Sequence, residues 1–120
     1  PMIAQDRPID ECYEAAKSVL KEVGLLERKD HLVYELSGGE QQRVSIARAL
    51  VNNPEIIFAD EPCANLDTEN SRVVLELFRS VNKDLGQTIV MVSHEPWHME
   101  YFDRIIFIRD GVIDEERMRE

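Results

Sequence analysis

The sequence predicts an α/β fold in which a helical lobe leads into a mainly parallel sheet with flanking helices and a C-terminal β-hairpin. Three observations carry this. Up to about residue 52 the apolar positions fall only at helical spacing. Two short apolar runs, Ile56-Ile57-Phe58-Ala59 and Thr88-Ile89-Val90-Met91-Val92-Ser93, bracket a third helical pattern, and Asp110-Gly111 separates two strand-like runs. Strands alternating with helices favour a layered arrangement with parallel pairing.

Taken in order, Asp10 to Val23 reads as an amphipathic helix, with Ala15, Ala16, Val19, Leu20 and Val23 on one face and Gly24 as its stop. Leu25 to Glu35 is a connector with room for a short helical turn. Ser37 stands at an N-cap with Glu40 three residues later, the pattern of a capping box, and this helix runs to about Val51 before Pro54. Glu55 to Asp60 contains Ile56-Ile57-Phe58-Ala59, a short apolar run of the kind found in buried parallel strands. Thr68 to Leu85 carries Val73, Val74, Leu77, Phe78, Val81 and Leu85 at helical spacing, and Gly86 ends it. Thr88 to Ser93 is a second buried strand, and Glu95 to Tyr101 a short helix. Arg104 to Arg109 and Val112 to Asp114 flank Asp110-Gly111, where glycine accepts the positive φ of a tight hairpin turn. The tail from Glu115 is charged and is expected to fray.

Bulk properties narrow the function. At 120 residues and 43% hydrophobic the chain suits one small domain with one core, so the lobe and the sheet are expected to share it. No apolar run approaches the ~20 residues of a membrane span. The start, Pro1 to Arg7, lacks the pattern of a signal peptide. The formal net charge of -10 argues against tracking a nucleic-acid backbone or lying on anionic lipid, although a local site can still hold phosphate. Cys12 and Cys63 have neither metal-ligand nor disulfide spacing and fit a reducing compartment.

Four short stretches carry chemistry. Ser37-Gly38-Gly39 puts two glycines in a first helical turn, at a cost of roughly 1 kcal/mol each against alanine. Close approach of a phosphate to the free N–H groups of a helix start would offset that; a permissive capping box without ligand is the plainer reading. Asp60-Glu61 follows the first apolar strand, and ligands of parallel sheets gather at strand carboxyl ends. There one carboxylate can hold Mg²⁺, directly or through water, while the other orients or deprotonates an attacking water; an acidic loop is the plainer reading. Asp67, in Asn65-Leu66-Asp67, could simply cap the next helix. His94 ends the second strand as Asp60 ends the first, which would bring it toward Glu61.

Together these stretches resemble one family, the ATP-binding-cassette (ABC) ATPases. Leu36-Ser37-Gly38-Gly39-Glu40-Gln41-Gln42-Arg43 is similar to the ABC signature motif, and Val44 to Leu50 continues it. Ile56-Ile57-Phe58-Ala59-Asp60-Glu61-Pro62 is similar to Walker B with its catalytic Glu, Asn65-Leu66-Asp67 to the D-loop, and His94 to the switch histidine. Four motifs in matching order make a far more specific signal than any one of them. Ala59-Asp60-Glu61-Pro62 followed by Asn65-Leu66-Asp67 resembles the lipoprotein-release, macrolide-export and cell-division type. Cys63-Ala64 departs from the Thr-Gly usual there, and Glu40 stands where many signatures have Gln.

The resemblance implies a P-loop NTPase fold, with ATP and Mg²⁺ as cofactors. It implies two ATPase subunits sandwiching ATP, where Ser37, Gly38, Gly39 and Glu40 of one subunit meet nucleotide held by the other. Asp60 would support Mg²⁺, Glu61 would activate water, His94 would contact the γ-phosphate, and Asp67 would couple the two sites. Transmembrane permease subunits are the implied partners, at the cytoplasmic face of a membrane, with no direct nucleic-acid contact. No G-x-x-x-x-G-K-[ST] pattern occurs in these 120 residues. Residues 1–120 are therefore expected to be the C-terminal part of one ABC ATPase domain, with about 1–52 as helical lobe and about 53–120 as part of the catalytic core. The phosphate-loop part is expected upstream, and these residues alone are expected to turn over negligible ATP.

Three other readings stand beside this one. His94-Glu95-Pro96-Trp97-His98 matches the H-E-x-x-H zinc pattern, but Pro96 places His94 ahead of any helix and no third ligand follows. A non-transport ABC-type ATPase of the repair or chromosome kind is disfavoured by the short gap from Ser37 to Asp60 and by Gln41-Gln42-Arg43. A non-catalytic interaction module is disfavoured by the presence of Asp60, Glu61 and His94 together.

Overall fold

A computed structural model describes all 120 residues. Three α-helices, α1 (Ile9–Glu22), α2 (Gly38–Leu50) and α3 (Thr68–Leu85), combine with four strands, β1 (Ile56–Asp60), β2 (Thr88–Val92), β3 (Arg104–Arg109) and β4 (Val112–Met118). The connector after α1 forms two 3₁₀ turns, Leu26–Arg28 and Val33–Glu35, and Pro96–Tyr101 is a 3₁₀ helix. The helix boundaries follow local chemistry. Ser37 Oγ accepts from the Glu40 amide at 3.2 Å while Glu40 Oε1 accepts from the Ser37 amide at 3.1 Å, so the capping box is formed. Asp67 caps α3 by accepting from the Asn70 amide at 2.8 Å. Gly86 closes α3 at φ 67°, a left-handed conformation that glycine adopts without a Cβ clash.

β1 and β2 pair in parallel, Ile56 opposite Thr88 and Asp60 opposite Val92. The two strands thus end side by side, and α3 is the crossover between them. β3 and β4 form a separate antiparallel pair. Asp110 and Gly111 both have positive φ, 51° and 79°, which gives the turn the twist of its flanking strands.

One core joins the lobe to the sheet. Val23, Leu25, Ile46, Ala47 and Leu50 of the lobe pack with Ile57, Val74, Leu75, Phe78 and Val81 in a single buried cluster. Met2, Cys12 and Val51 form a smaller one. Arg43 ties the lobe together by donating to the Val23 carbonyl at 3.1 Å.

Two expectations change. The tail from Glu115 does not fray: β4 continues to Met118 because Glu115, Glu116, Arg117 and Met118 pair with Phe107, Ile106, Ile105 and Arg104. Asp114 is the extra residue of a bulge, and an Arg104–Glu116 ion pair at 2.6 Å spans the strands. The strands β1 and β2 are buried on one face only. Ile57 is 5% exposed, whereas Phe58 is 76% and Val92 55% exposed, because no helix of these residues packs on the second face.

Candidate functional site

The parallel register builds the site. β1 delivers Asp60 and then Glu61 at its carboxyl end, and β2 delivers Ser93 and His94 beside them. The Glu61 amide extends the ladder by one bond, donating to the Val92 carbonyl at 3.0 Å. At that point the chain turns sharply: Glu61 has φ 47°, a left-handed conformation that costs a non-glycine residue about 1 kcal/mol or more. Its carbonyl accepts from the Ala64 amide at 3.1 Å, which fixes the turn leading to Asp67.

Glu61 and His94, 33 residues apart in sequence, meet at 2.7 Å, His94 Nδ1 donating to Glu61 Oε1. His94 Nε2 lies 3.4 Å from Glu95 Oε1, so a carboxylate flanks each ring nitrogen. The hydrogen bond and charge of Glu61 raise the His94 pKa above its ordinary value, since they favour the imidazolium. Asp60 is exposed, and its carboxylate makes no hydrogen bond or ion pair within the chain. Its hard oxygen ligands suit Mg²⁺.

Ser37, Gly38 and Gly39 open α2 next to the start of α3, and the reason for the glycines becomes partly internal. A Cβ on Gly39 would lie 2.7 Å from Asn70 Oδ1 and 3.2 Å from its Cγ. Asn70 has little freedom to yield, because its Nδ2 donates to both Asp67 carboxylate oxygens, at 3.0 and 3.1 Å. Gly38 is looser, with Leu66 Cδ2 at 3.6 Å from such a Cβ. Glu40 is engaged within the chain: Oε1 accepts from Ser37, Oε2 lies 3.4 Å from Arg28 Nε, and the Ser37 amide bond chiefly lowers its pKa. Asp67 realises its capping role.

Sequence reasoning missed several contributors. The left-handed Glu61 carries no sequence signal. Asn70 could have been found as the third residue after the Asp67 cap. Gln41 holds the preceding turn by donating to the Val33 and Leu36 carbonyls, both at 3.1 Å. His98 is buried at 3% exposure and its Nδ1 lies 2.6 Å from Ser93 Oγ, whereas the His94 side chain is 72% exposed. The two histidines of the H-E-x-x-H match thus have different partners and environments. Burial lowers the His98 pKa and raises that of the Cys63 thiol.

The ABC transporter family model matches residues 3–64. The macrolide export ATP-binding/permease protein MacB of Chlorobium luteolum is 50% identical over 108 residues, covering 90% of this chain and 16% of that protein. An uncharacterized ABC transporter ATP-binding protein of Methanocaldococcus jannaschii is 47% identical over 115 residues, covering 96% of this chain and 51% of that protein. The chain thus spans about half or less of the relatives it matches. Among solved structures, a dimeric bacterial ABC transporter cassette superposes with a TM-score of 0.72 at 40% identity, over 88% of this chain and 46% of that one. A part of an ABC transporter complex from Clostridium perfringens superposes with a TM-score of 0.86 at 31% identity, over 92% of this chain and 44% of that one. Agreement in sequence and in fold thus leads to one assignment: the chain belongs to the ABC transporter family, and the region it matches is the ATP-binding cassette.

Proposed function

We propose that these residues serve ATP hydrolysis that drives an ABC transporter, with Glu61 as the group that activates water and His94 as its partner at the γ-phosphate. The observation that carries this reading is the 2.7 Å contact between His94 and Glu61 at the ends of two adjacent parallel strands. A carboxylate aimed by a histidine can take a proton from water as that water attacks the γ-phosphorus. The new bond joins water oxygen to phosphorus, the bond to the bridging oxygen breaks, and ADP and phosphate leave. Mg²⁺, held by Asp60, would supply charge neutralisation at the phosphate oxygens. With Nδ1 given to Glu61, Nε2 of the exposed His94 ring is the nitrogen that would donate to a phosphate oxygen.

Ser37, Gly38 and Gly39 present helix-start N–H groups to nucleotide held by a second copy, and Glu40 shapes that helix start. Asp67 faces the same junction. Dimeric relatives and permease-linked relatives support a second ATPase subunit and a membrane permease as partners. No helix here is long and apolar enough to cross a membrane.

The test is ATP hydrolysis by the whole protein carrying Glu61→Gln. The expected result is a fall in kcat of about 100-fold or more with nucleotide binding retained. Unchanged turnover would remove Glu61 from the chemistry and leave a docking role for this segment.

A further inference from the structure

The geometry points to His98 as a positioning residue that, through Ser93, holds the turn carrying His94 in register with Glu61. This rests on the assignment of Glu61 and His94 to hydrolysis.

The His94 side chain is mostly exposed, and its only polar contacts are Glu61 and Glu95. No neighbouring packing locks such a ring, so its placement depends on the backbone beneath it. β2 ends at Val92, one residue before Ser93, so the sheet does not hold His94 directly. The Ser93–His98 contact at 2.6 Å fixes the residue next to it instead. It closes residues 93–98 into a loop with His94 at its outer side. Within that loop Ser93 Oγ accepts from the Glu95 amide at 3.2 Å, and the Glu95 carbonyl accepts from the His98 amide at 3.1 Å.

With the Glu95 amide already given to Ser93 Oγ, the hydroxyl proton is free to be donated to Nδ1 of a neutral His98. Burial lowers its pKa, which favours the neutral ring. The ring is anchored in turn: Trp97 stands edge-on to it with centroids 4.3 Å apart, and the Arg72 guanidinium lies 5.9 Å from the centre of the Trp97 ring. Arg72 belongs to α3, the helix that Asp67 starts. A cavity of about 180 Å³ between this turn and α3, lined by Glu61, Cys63, Ser71, His94 and His98 among others, leaves room for the turn to shift if the anchor is lost. A buried histidine is commonly just a satisfied core residue. This one differs because its polar partner adjoins His94.

The experiment compares ATP hydrolysis by the whole protein with those of His98→Leu, Ser93→Ala, the double variant, His98→Gln and Glu61→Gln, with thermal unfolding measured for each. His98→Leu and Ser93→Ala are expected to lower kcat on the order of 10- to 100-fold. KM for ATP should stay within about twofold, because binding is not what is lost. The double variant should be no worse than either single change, since both break one contact. His98→Gln, which keeps a polar partner for Ser93, should recover most of the rate. Wild-type kcat in a folded His98→Leu or Ser93→Ala, or losses that multiply in the double variant, overturns the inference. If His98→Leu does not fold, Ser93→Ala, at a half-buried position, decides by the same criteria. Inactive Glu61→Gln with active His98→Leu removes this inference alone. Active Glu61→Gln, or no hydrolysis by the wild type, removes the functional assignment and this inference with it.

Discussion

At the scale of single residues, Gly39 and Glu61 depart most from what a linear reading suggests. A signature glycine invites explanation by a ligand, yet Gly39 also yields space to Asn70, which Asp67 holds in place. Gly39→Ala should therefore destabilise the protein by about 1–2 kcal/mol through overpacking, despite alanine's better helix propensity. In an Asn70→Ala background the same change should become neutral or stabilising, by up to about 1 kcal/mol. A denaturation double-mutant cycle measures this, and additive effects would exclude the contact as the reason. The histidines supply a second test at this scale. His98 has a depressed folded pKa, so its share of stability is whole above the ordinary histidine value of about 6.5 and is lost as pH falls below it. His94 has a raised folded pKa, so its share is whole below about 6.5 and is lost as pH rises through the folded value. Unfolding measured from pH 5 to 8 should show His98→Gln flattening the acid side of the profile and His94→Gln flattening the neutral side.

At the scale of elements, the helices were legible because their signals are local. The Ser37–Glu40 box and the Asp67 cap are short-range exchanges between a side chain and nearby amides, and they mark where α2 and α3 begin. Gly86 marks where α3 ends for an equally local reason. Asp67→Ala should cost about 1 kcal/mol of stability by removing the cap, with a larger deficit in the Asp67–Asn70–Gly39 junction if the three act together. Chemical denaturation of that variant beside Ser37→Ala separates the two, since the Ser37 side chain bonds Glu40 and makes no hydrogen bond to Asn70. The strands were legible as apolar runs, but which face is buried was not. Ile57 and Ala59 point to the helices while Ile56 and Phe58 do not. A run of apolar residues lacks the alternation that would reveal this.

At the scale of the whole molecule, the radius of gyration is 15.8 Å, against roughly 14 Å for a compact domain of this length. The sheet leaves Phe58, Val90 and Val92 exposed together, and the hairpin exposes Ile108, Val112 and Ile113. Apolar surface of this kind promotes association. Residues 1–120 prepared alone should therefore self-associate as concentration rises, and Phe58→Lys should weaken that association in sedimentation experiments. Identical behaviour of the two chains would show that the bare face is not the adhesive surface. The same preparation should show negligible ATP turnover, because no phosphate-loop pattern is among its residues. Measurable turnover that disappears with Glu61→Gln would contradict this.

The sequence by itself determined the order of motifs, the helix starts and stops, and the family, because each rests on neighbours within a few positions or on a linear pattern. It also pointed His94 toward Glu61 through the expectation of adjacent parallel strands. Only the tertiary structure decided that the two meet at 2.7 Å, that Glu61 turns left-handed, that Asn70 fills the space above Gly39, and that His98 is buried behind Ser93. These are contacts between segments brought together by strand register and helix packing. A periodic pattern states which face of an element is apolar, but the atoms that meet there depend on how the elements dock.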